Sequence, residues 1–227
     1  MSNSTAQNIA VVVAHPDDEV LAFGGSIARH VAIGDTVRIL IMASGLAARG
    51  AADEASLAEL RTQANAAAAV LGAEPPEFAN FPDNRMDTVA LLDVVQRVED
   101  FFEVCPPSLI LTHHGGDLNV DHRIVAQAAL TAARPLPGRK SVRLYAGEAL
   151  SSSEYAAPTD RFVPNTYVDI EASLETKKKA LACYIGEVRD WPHPRSLSAV
   201  EHLAHVRGCE AGLEAAEALC LIRAVYA

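Results

Sequence analysis

The chain lacks most of the features that mark secreted, nucleic-acid-binding or membrane proteins. Its four cysteines, Cys105, Cys183, Cys209 and Cys220, are widely spaced and form no Cys-x-x-Cys pair, so neither a zinc knuckle nor a disulfide framework is indicated. That usage suits a reduced, cytoplasmic compartment. No basic block stands out: Lys177-Lys178-Lys179 reads as a solvated helix turn, and 19 Lys+Arg against 29 Asp+Glu leave a formal charge of −10. Nucleic acid and anionic membranes are therefore poor partners. Met1 to Thr5 carry no basic residue, and the apolar run that follows is too short for a signal core or a membrane span. No membrane insertion is expected. Aromatic residues are few, and the one tryptophan, Trp191, reads as a packing residue before it reads as a platform for a sugar ring.

What the chain has is aliphatic. Half of its 227 residues are hydrophobic, enough to bury the core of one domain spanning residues 1–227. Ile9 to Ala14 is a continuous, β-branched apolar run, the pattern of a parallel strand covered on both faces. Pro16 and the acids behind it give a helix start, and that helix runs to about Val31. Gly24-Gly25 inside it mark a close approach of backbone to something else. A second strand is predicted over Thr36–Met42, a small-residue loop over Ala43–Ala51 and a helix over Glu54–Leu71. A short strand over Glu77–Phe81, a helix over Val89–Val104 and a buried strand over Ser108–Thr112 follow. After a helix over Arg123–Ala133, strands are expected at Val142–Gly147 and Tyr167–Ile170. Helices are expected at Leu174–Ile185 and from Ala199 to about Tyr226. The alternation argues for an α/β fold, a three-layer domain with a mostly parallel, doubly wound sheet.

Two polar clusters interrupt this pattern, each where a strand hands over to a helix. Ala14-His15-Pro16-Asp17-Asp18-Glu19 places one imidazole and three carboxylates within five positions, and His113 to His122 closes with Asp121-His122. In open α/β sheets the carboxyl ends of the strands are where ligands bind. Hydrolysis assisted by a divalent metal needs a few fixed ligands, an open position and a nearby base. His15 and Asp18, three positions apart, converge on one point if the chain turns into a helix between them. His122 is the best candidate for the third ligand. Asp17 then lies beside the ion, placed to take a proton from water.

With Gly24-Gly25 and the later Asp121-His122, the motif Ala14 to Glu19 resembles the PIG-L (LmbE-like) family of zinc-dependent de-N-acetylases. The resemblance covers nearly the whole chain, up to Pro192-His193-Pro194-Arg195-Ser196. It implies a Rossmann-like fold, removal of acetyl groups from N-acetylated amino sugars, His15, Asp18 and His122 as zinc ligands, and Asp17 as general base. It also implies trimers or hexamers. One position departs from the pattern. Several members carry a histidine three positions before the last ligand, and this chain has Asn119, whose amide can donate to an oxyanion but cannot act as an acid. His193 is the first replacement, with His113 and His114 behind it. By resemblance Asp83 contacts sugar hydroxyls. Arg61 and Arg85 are candidates for a substrate phosphate or carboxylate, and Asp121 for orienting His122 or capping its helix.

The expected activity is hydrolysis of the acetamide of an N-acetylated amino sugar, releasing acetate and amine. Its rivals are an amidase acting on another conjugate such as a thiol conjugate, a phosphoesterase with two ions, and a non-catalytic sugar-binding domain. Two nitrogens and one carboxylate suit zinc and would also hold Fe2+ or another divalent ion.

Overall fold

A computed structural model describes residues 6–45, 54–138 and 141–225. Its elements follow in chain order: β1 (Asn8–Val13), α1 (Asp18–Ala32), β2 (Thr36–Ala43), α2 (Glu54–Leu71), β3 (Glu77–Phe81), α3 (Leu91–Val104), β4 (Leu109–His113) and α4 (Val120–Ala132). They continue with β5 (Arg143–Gly147), β6 (Thr166–Asp169), α5 (Leu174–Ala182), α6 (Leu197–Ala211) and β7 (Ala216–Arg223). The predicted small-residue loop falls partly on residues 46–53, which lie outside the described residues.

The strands form one seven-stranded sheet in the order β3-β2-β1-β4-β5-β7-β6. The pairings among β1 to β5 are parallel, while β7 runs antiparallel to both β5 and β6. The alternation of side chains along a strand sets two cores. Ile9, Val11 and Val13 join Phe23, Leu60 and Leu181 of α1, α2 and α5 on one face. Ala10 and Val12 join Val94, Val98 and Val125 of α3 and α4 on the other. Strands covered on both faces account for the unbroken apolar runs, and the α/β, three-layer expectation holds.

The sequence reading fails at one element. Ala199–Tyr226 is not one helix: α6 ends at Gly212, a left-handed C-cap at φ 71°, and Ala216–Arg223 is a strand. Its Ala, Leu and Glu content favours helix. Hydrogen-bonded neighbours on both sides override that preference, since Tyr145 pairs with Leu221 and Val168 with Glu217. The helix begun at Leu174 also stops earlier, at Ala182 rather than Ile185.

Gly25 has the close neighbour its position predicted. A Cβ there would lie 2.7 Å from Ile170 Cγ2. Beside it Glu217 of β7 reaches into α1 and accepts from the N–H groups of Gly25 and Ser26, both at 2.7 Å. Lys177 of α5 pairs with Glu217 at 2.6 Å and donates to the Leu21 carbonyl at 2.9 Å. A buried ion pair therefore grips the middle of the helix whose first turn carries Asp18.

Candidate metal centre

Chain order reverses between β1 and β4, the central pair of the sheet, and the crevice at their carboxyl ends is the switch point of this topology. The two polar clusters meet there. His15 follows β1, Asp18 opens α1, and His122 stands in the first turn of α4, which begins at Val120.

Three donor atoms form a small triangle. Asp18 Oδ2 lies 3.2 Å from His15 Nδ1 and 3.2 Å from His122 Nε2, and the two nitrogens are 3.3 Å apart. Ligands bound at zinc's usual distance of about 2.0–2.1 Å in tetrahedral geometry stand about 3.3 Å from one another. The triangle thus fits one divalent ion. The electrostatics agree with a site that demands positive charge. Burial pushes His122 down, but the charge of Asp18 and the contact with Asp117 outweigh it and lift its pKa to about 9. For His15 burial is likewise outweighed, here by Asp121, Asp18 and Asp83, which hold it well above the ordinary value. Asp18 is held well below the usual carboxylate range, because the charge of His122 outweighs its burial.

Each histidine is backed by a carboxylate on its outer nitrogen. Asp121 Oδ2 lies 3.1 Å from His15 Nε2. Asp121 also accepts from the backbone N–H groups of Asn84 at 2.6 Å and Met86 at 3.0 Å. The aspartate expected to orient His122 therefore faces the other histidine. His122 Nδ1 instead stands 3.1 Å from Asp117 Oδ1, a short contact without good hydrogen-bond alignment. Asp117 is fixed by Asn119 N at 2.9 Å and by the hydroxyls of Ser152 and Ser153. Against its burial, His122 and the two serines hold its carboxyl below the usual range. Asp117 and the serine pair went unread in the sequence. The signal available was an acid five positions before a ligand histidine.

His15, Asp83 and Asp121 form a second group of potential ligands. It uses the outer nitrogen of a histidine the first group already claims. Its carboxylates are occupied, Asp121 by two backbone N–H groups and Asp83 by the Asn84 amide at 3.1 Å. This is the pattern of acceptors around a donor N–H rather than of an ion site. Asp83, expected to meet sugar hydroxyls, is 2% exposed with its Oδ1 3.2 Å from His15 Nε2.

Asp17, the buried residue before Asp18, has an unusual backbone conformation, φ 106° and ψ −27°, which costs a non-glycine residue about 1–3 kcal/mol. Its Oδ2 accepts from Arg195 at 3.1 Å, and its N–H donates to Glu19 at 3.2 Å. Burial, then the charge of Asp18, raise its pKa well above the ordinary value, with Arg195 opposing. Glu19, without a role in the sequence reading, accepts from the buried Tyr184 hydroxyl, and burial lifts its pKa to about 7.

The remaining candidates fall into place by their partners. Asn119 caps α4, accepting from Asp121 N at 2.8 Å, and its amide donates to Asn84 at 3.0 Å. His113 is buried, stacked on His122 with ring centroids 3.8 Å apart, and its Nε2 accepts from Ala14 N at 2.9 Å. Burial, then His122, hold its pKa down, so it is a neutral wall of the site and not an acid facing substrate. His114 points its Nε2 at the Asp160 carbonyl, 2.7 Å away. His193 is half-buried, with Nδ1 accepting from Arg195 N at 3.0 Å, which leaves Nε2 as its proton-bearing nitrogen. Arg61 is exposed over the Phe78 ring and bonded to Asn80, and Arg85 is exposed. Trp191, read as packing, is 59% exposed, with its ring in an edge arrangement against His202 at 5.1 Å between centroids. A cavity of about 450 Å³ opens at the amino ends of β4 and β5, between Phe102, Pro107 and Val142, and shares no residue with the cluster. No helix among the described residues is long and apolar enough to cross a membrane.

Comparison with known proteins gives the same fold. A 4-oxalmesaconate hydratase of Pseudomonas putida is 28% identical over 204 residues, covering 84% of this chain and 78% of its own length. The crystal structure of GalB, the 4-carboxy-2-hydroxymuconate hydratase of Pseudomonas putida KT2440, matches with a TM-score of 0.79 at 25% identity, over 97% of this chain and 98% of that one. N,N'-diacetylchitobiose deacetylase from Pyrococcus horikoshii matches with a TM-score of 0.78 at 19% identity, over 96% of this chain and 84% of that one. A family model described as PIG-L, GlcNAc-PI de-N-acetylase, covers residues 10–133; with more than half of its length matched, the chain belongs to the PIG-L family.

Proposed function

We propose that the protein hydrolyses the acetamide of an N-acetylated amino sugar or its conjugate, releasing acetate and the free amine. The observation that carries this reading is the 3.2–3.3 Å triangle of His15 Nδ1, Asp18 Oδ2 and His122 Nε2, with Asp17 the buried residue immediately before Asp18. A divalent ion held by those three residues supplies the charge that acidifies water and polarises a carbonyl. Asp17 takes the proton from the attacking water. With Oδ2 held by Arg195, Oδ1 is the oxygen without a hydrogen bond among the described residues. The raised pKa of Asp17 suits it to carry that proton. The carbon–nitrogen bond then breaks, and the nitrogen leaves with the proton returned by Asp17; His193, whose Nδ1 accepts from Arg195 N, can offer a hydrogen bond from Nε2 but not a proton. Asn119 is committed to its cap and to Asn84, so it takes no part as an acid.

Zinc is the expected ion, the donor set being one that Fe2+ also accepts. The substrate is a small molecule, the setting the cytoplasm, and the assembly a homo-oligomer.

A second reading has its own support. The hydratase relative matches over most of both chains, and adding water to a conjugated double bond draws on the same ion, base and protonated donor. One screen separates the two. Zinc-loaded protein is offered N-acetylglucosamine, its 6-phosphate, a nucleotide-linked and an aryl-linked form, and separately 4-oxalmesaconate. Acetate release from any sugar supports the hydrolase. Loss of the 4-oxalmesaconate absorbance without acetate release replaces it with the hydratase. More than one tightly held ion per chain would bring the phosphoesterase back.

A further inference from the structure

Asp17 is held at two points by one segment of chain. Its backbone N–H donates to Glu19, whose other oxygen takes the hydroxyl of Tyr184. Its carboxylate Oδ2 accepts from Arg195 Nη1 at 3.1 Å, and the same Nη1 donates to Glu187 at 2.7 Å. Tyr184, Glu187 and Arg195 all belong to the stretch between α5 and α6, more than 160 residues from Asp17. Glu187 and Asp17 are buried, 5% and 4% exposed, so this is no solvated surface pair.

A guanidinium beside a reaction centre invites a different role, capture of an anionic group on the substrate. The geometry opposes it. Two carboxylates already answer the single charge of Arg195, and its Nε is buried without a partner, out of reach of a ligand. A substrate anion there would meet Asp17 and Glu187 as well as the arginine. What the arrangement does is fix a carboxylate. Asp17 sits in a positive-φ backbone conformation, and its two oxygens are made unequal, Oδ2 tied to Arg195 and Oδ1 without a hydrogen bond among the described residues.

We propose that Arg195, held in turn by Glu187, is a positioning residue that sets the orientation of the Asp17 carboxylate for proton transfer. The inference rests on the reading of Asp17 as the proton acceptor.

Wild type, Arg195→Gln, Arg195→Lys and Glu187→Gln are compared for zinc content, acetate release from the N-acetylglucosamine panel, and crystal structure without substrate. Arg195→Gln is expected to keep its zinc, to lose about 10- to 100-fold in kcat, as expected of a misplaced catalytic group, and to keep KM within about two-fold. Arg195→Lys restores part of the loss, because an ammonium still bridges both carboxylates. Glu187→Gln shows a smaller loss of the same kind and stands in should Arg195→Gln fail to fold. In the Arg195→Gln crystal the Asp17 carboxylate turns from its wild-type rotamer. An Asp17 that stays in place, an unchanged kcat, or a raised KM at constant kcat overturns the proposal. Should wild type release no acetate from any member of the panel, the hydrolase reading falls, while the position of Asp17 in the two crystals still decides this one.

Discussion

Asp121 Oδ2 lies 3.1 Å from His15 Nε2, on the edge of the imidazole opposite the nitrogen that faces Asp18 and His122. The residue next to one ligand in sequence thus serves the other in space. Asp121→Asn keeps an acceptor of the same shape and removes the charge. It is expected to weaken zinc binding by about 10- to 100-fold, the usual effect of losing such a partner. Competition with a chromogenic chelator measures it, and an unchanged affinity would show that Asp121 only anchors the Asn84–Met86 turn.

Asp17→Asn and His15→Ala separate holding the ion from using it. Asp17→Asn should retain one zinc per chain and lose about 100- to 10,000-fold in turnover, the range for a general base. His15→Ala and His122→Ala should lose metal and turnover together. Metal analysis alongside acetate release checks all three, and an active Asp17→Asn enzyme would end its assignment as base.

The metal-free protein should be most stable in weak acid. Asp117 is depressed when folded, so its contribution is full above the unfolded carboxylate value of about 3.9 and is lost as pH falls through that region. His122 is raised to about 9, so its contribution is full below the unfolded value of about 6.5 and is lost as pH rises toward 9. His15 shifts in the same direction. Glu19, raised by burial to about 7, and Asp17, raised likewise, add a decline that begins as pH rises through the unfolded carboxylate value of about 4, so thermal melts of chelator-treated protein between pH 3 and pH 9.5 should show a maximum at about pH 4–5. Zinc should abolish the alkaline decline, because it binds the deprotonated imidazoles. A flat profile above pH 6 without metal would contradict the protonated cluster.

Gly25→Ala places a methyl group 2.7 Å from Ile170, in a buried contact between α1 and the end of β6. Overpacking of this kind costs about 1–3 kcal/mol. Denaturant unfolding should show that loss, and an unchanged stability would show that Ile170 moves aside at no cost.

The candidate site was legible where chemistry is local. His15, Asp17, Asp18 and His122 stand out because acids and histidines at strand ends have no packing use, and the strand-to-helix turns that gather them are set by the residues beside them. Asp117 was hidden because, beside Gly115 and Gly116, it reads as a turn. Only Ser152 and Ser153, 35 and 36 residues away, reveal it as a buried acceptor. Arg195 has no role of its own in the sequence for the same reason, its partner lying 178 residues back. The strand β7 was misread because its identity comes from β5 and β6 on either side, and no property of Ala216–Arg223 itself carries that information.

Glu217 turns this misread strand into part of the metal site's support. Through it the antiparallel edge of the sheet bonds to the Gly25 and Ser26 amides, two turns along the helix that Asp18 begins. Cleavage of the chain near Gly212 would remove no ligand, no base and no residue that orients either histidine. It would still free α1 from its grip, so damage by a protease close to the C-terminus would be felt at the other end of the chain, in the placement of Asp18.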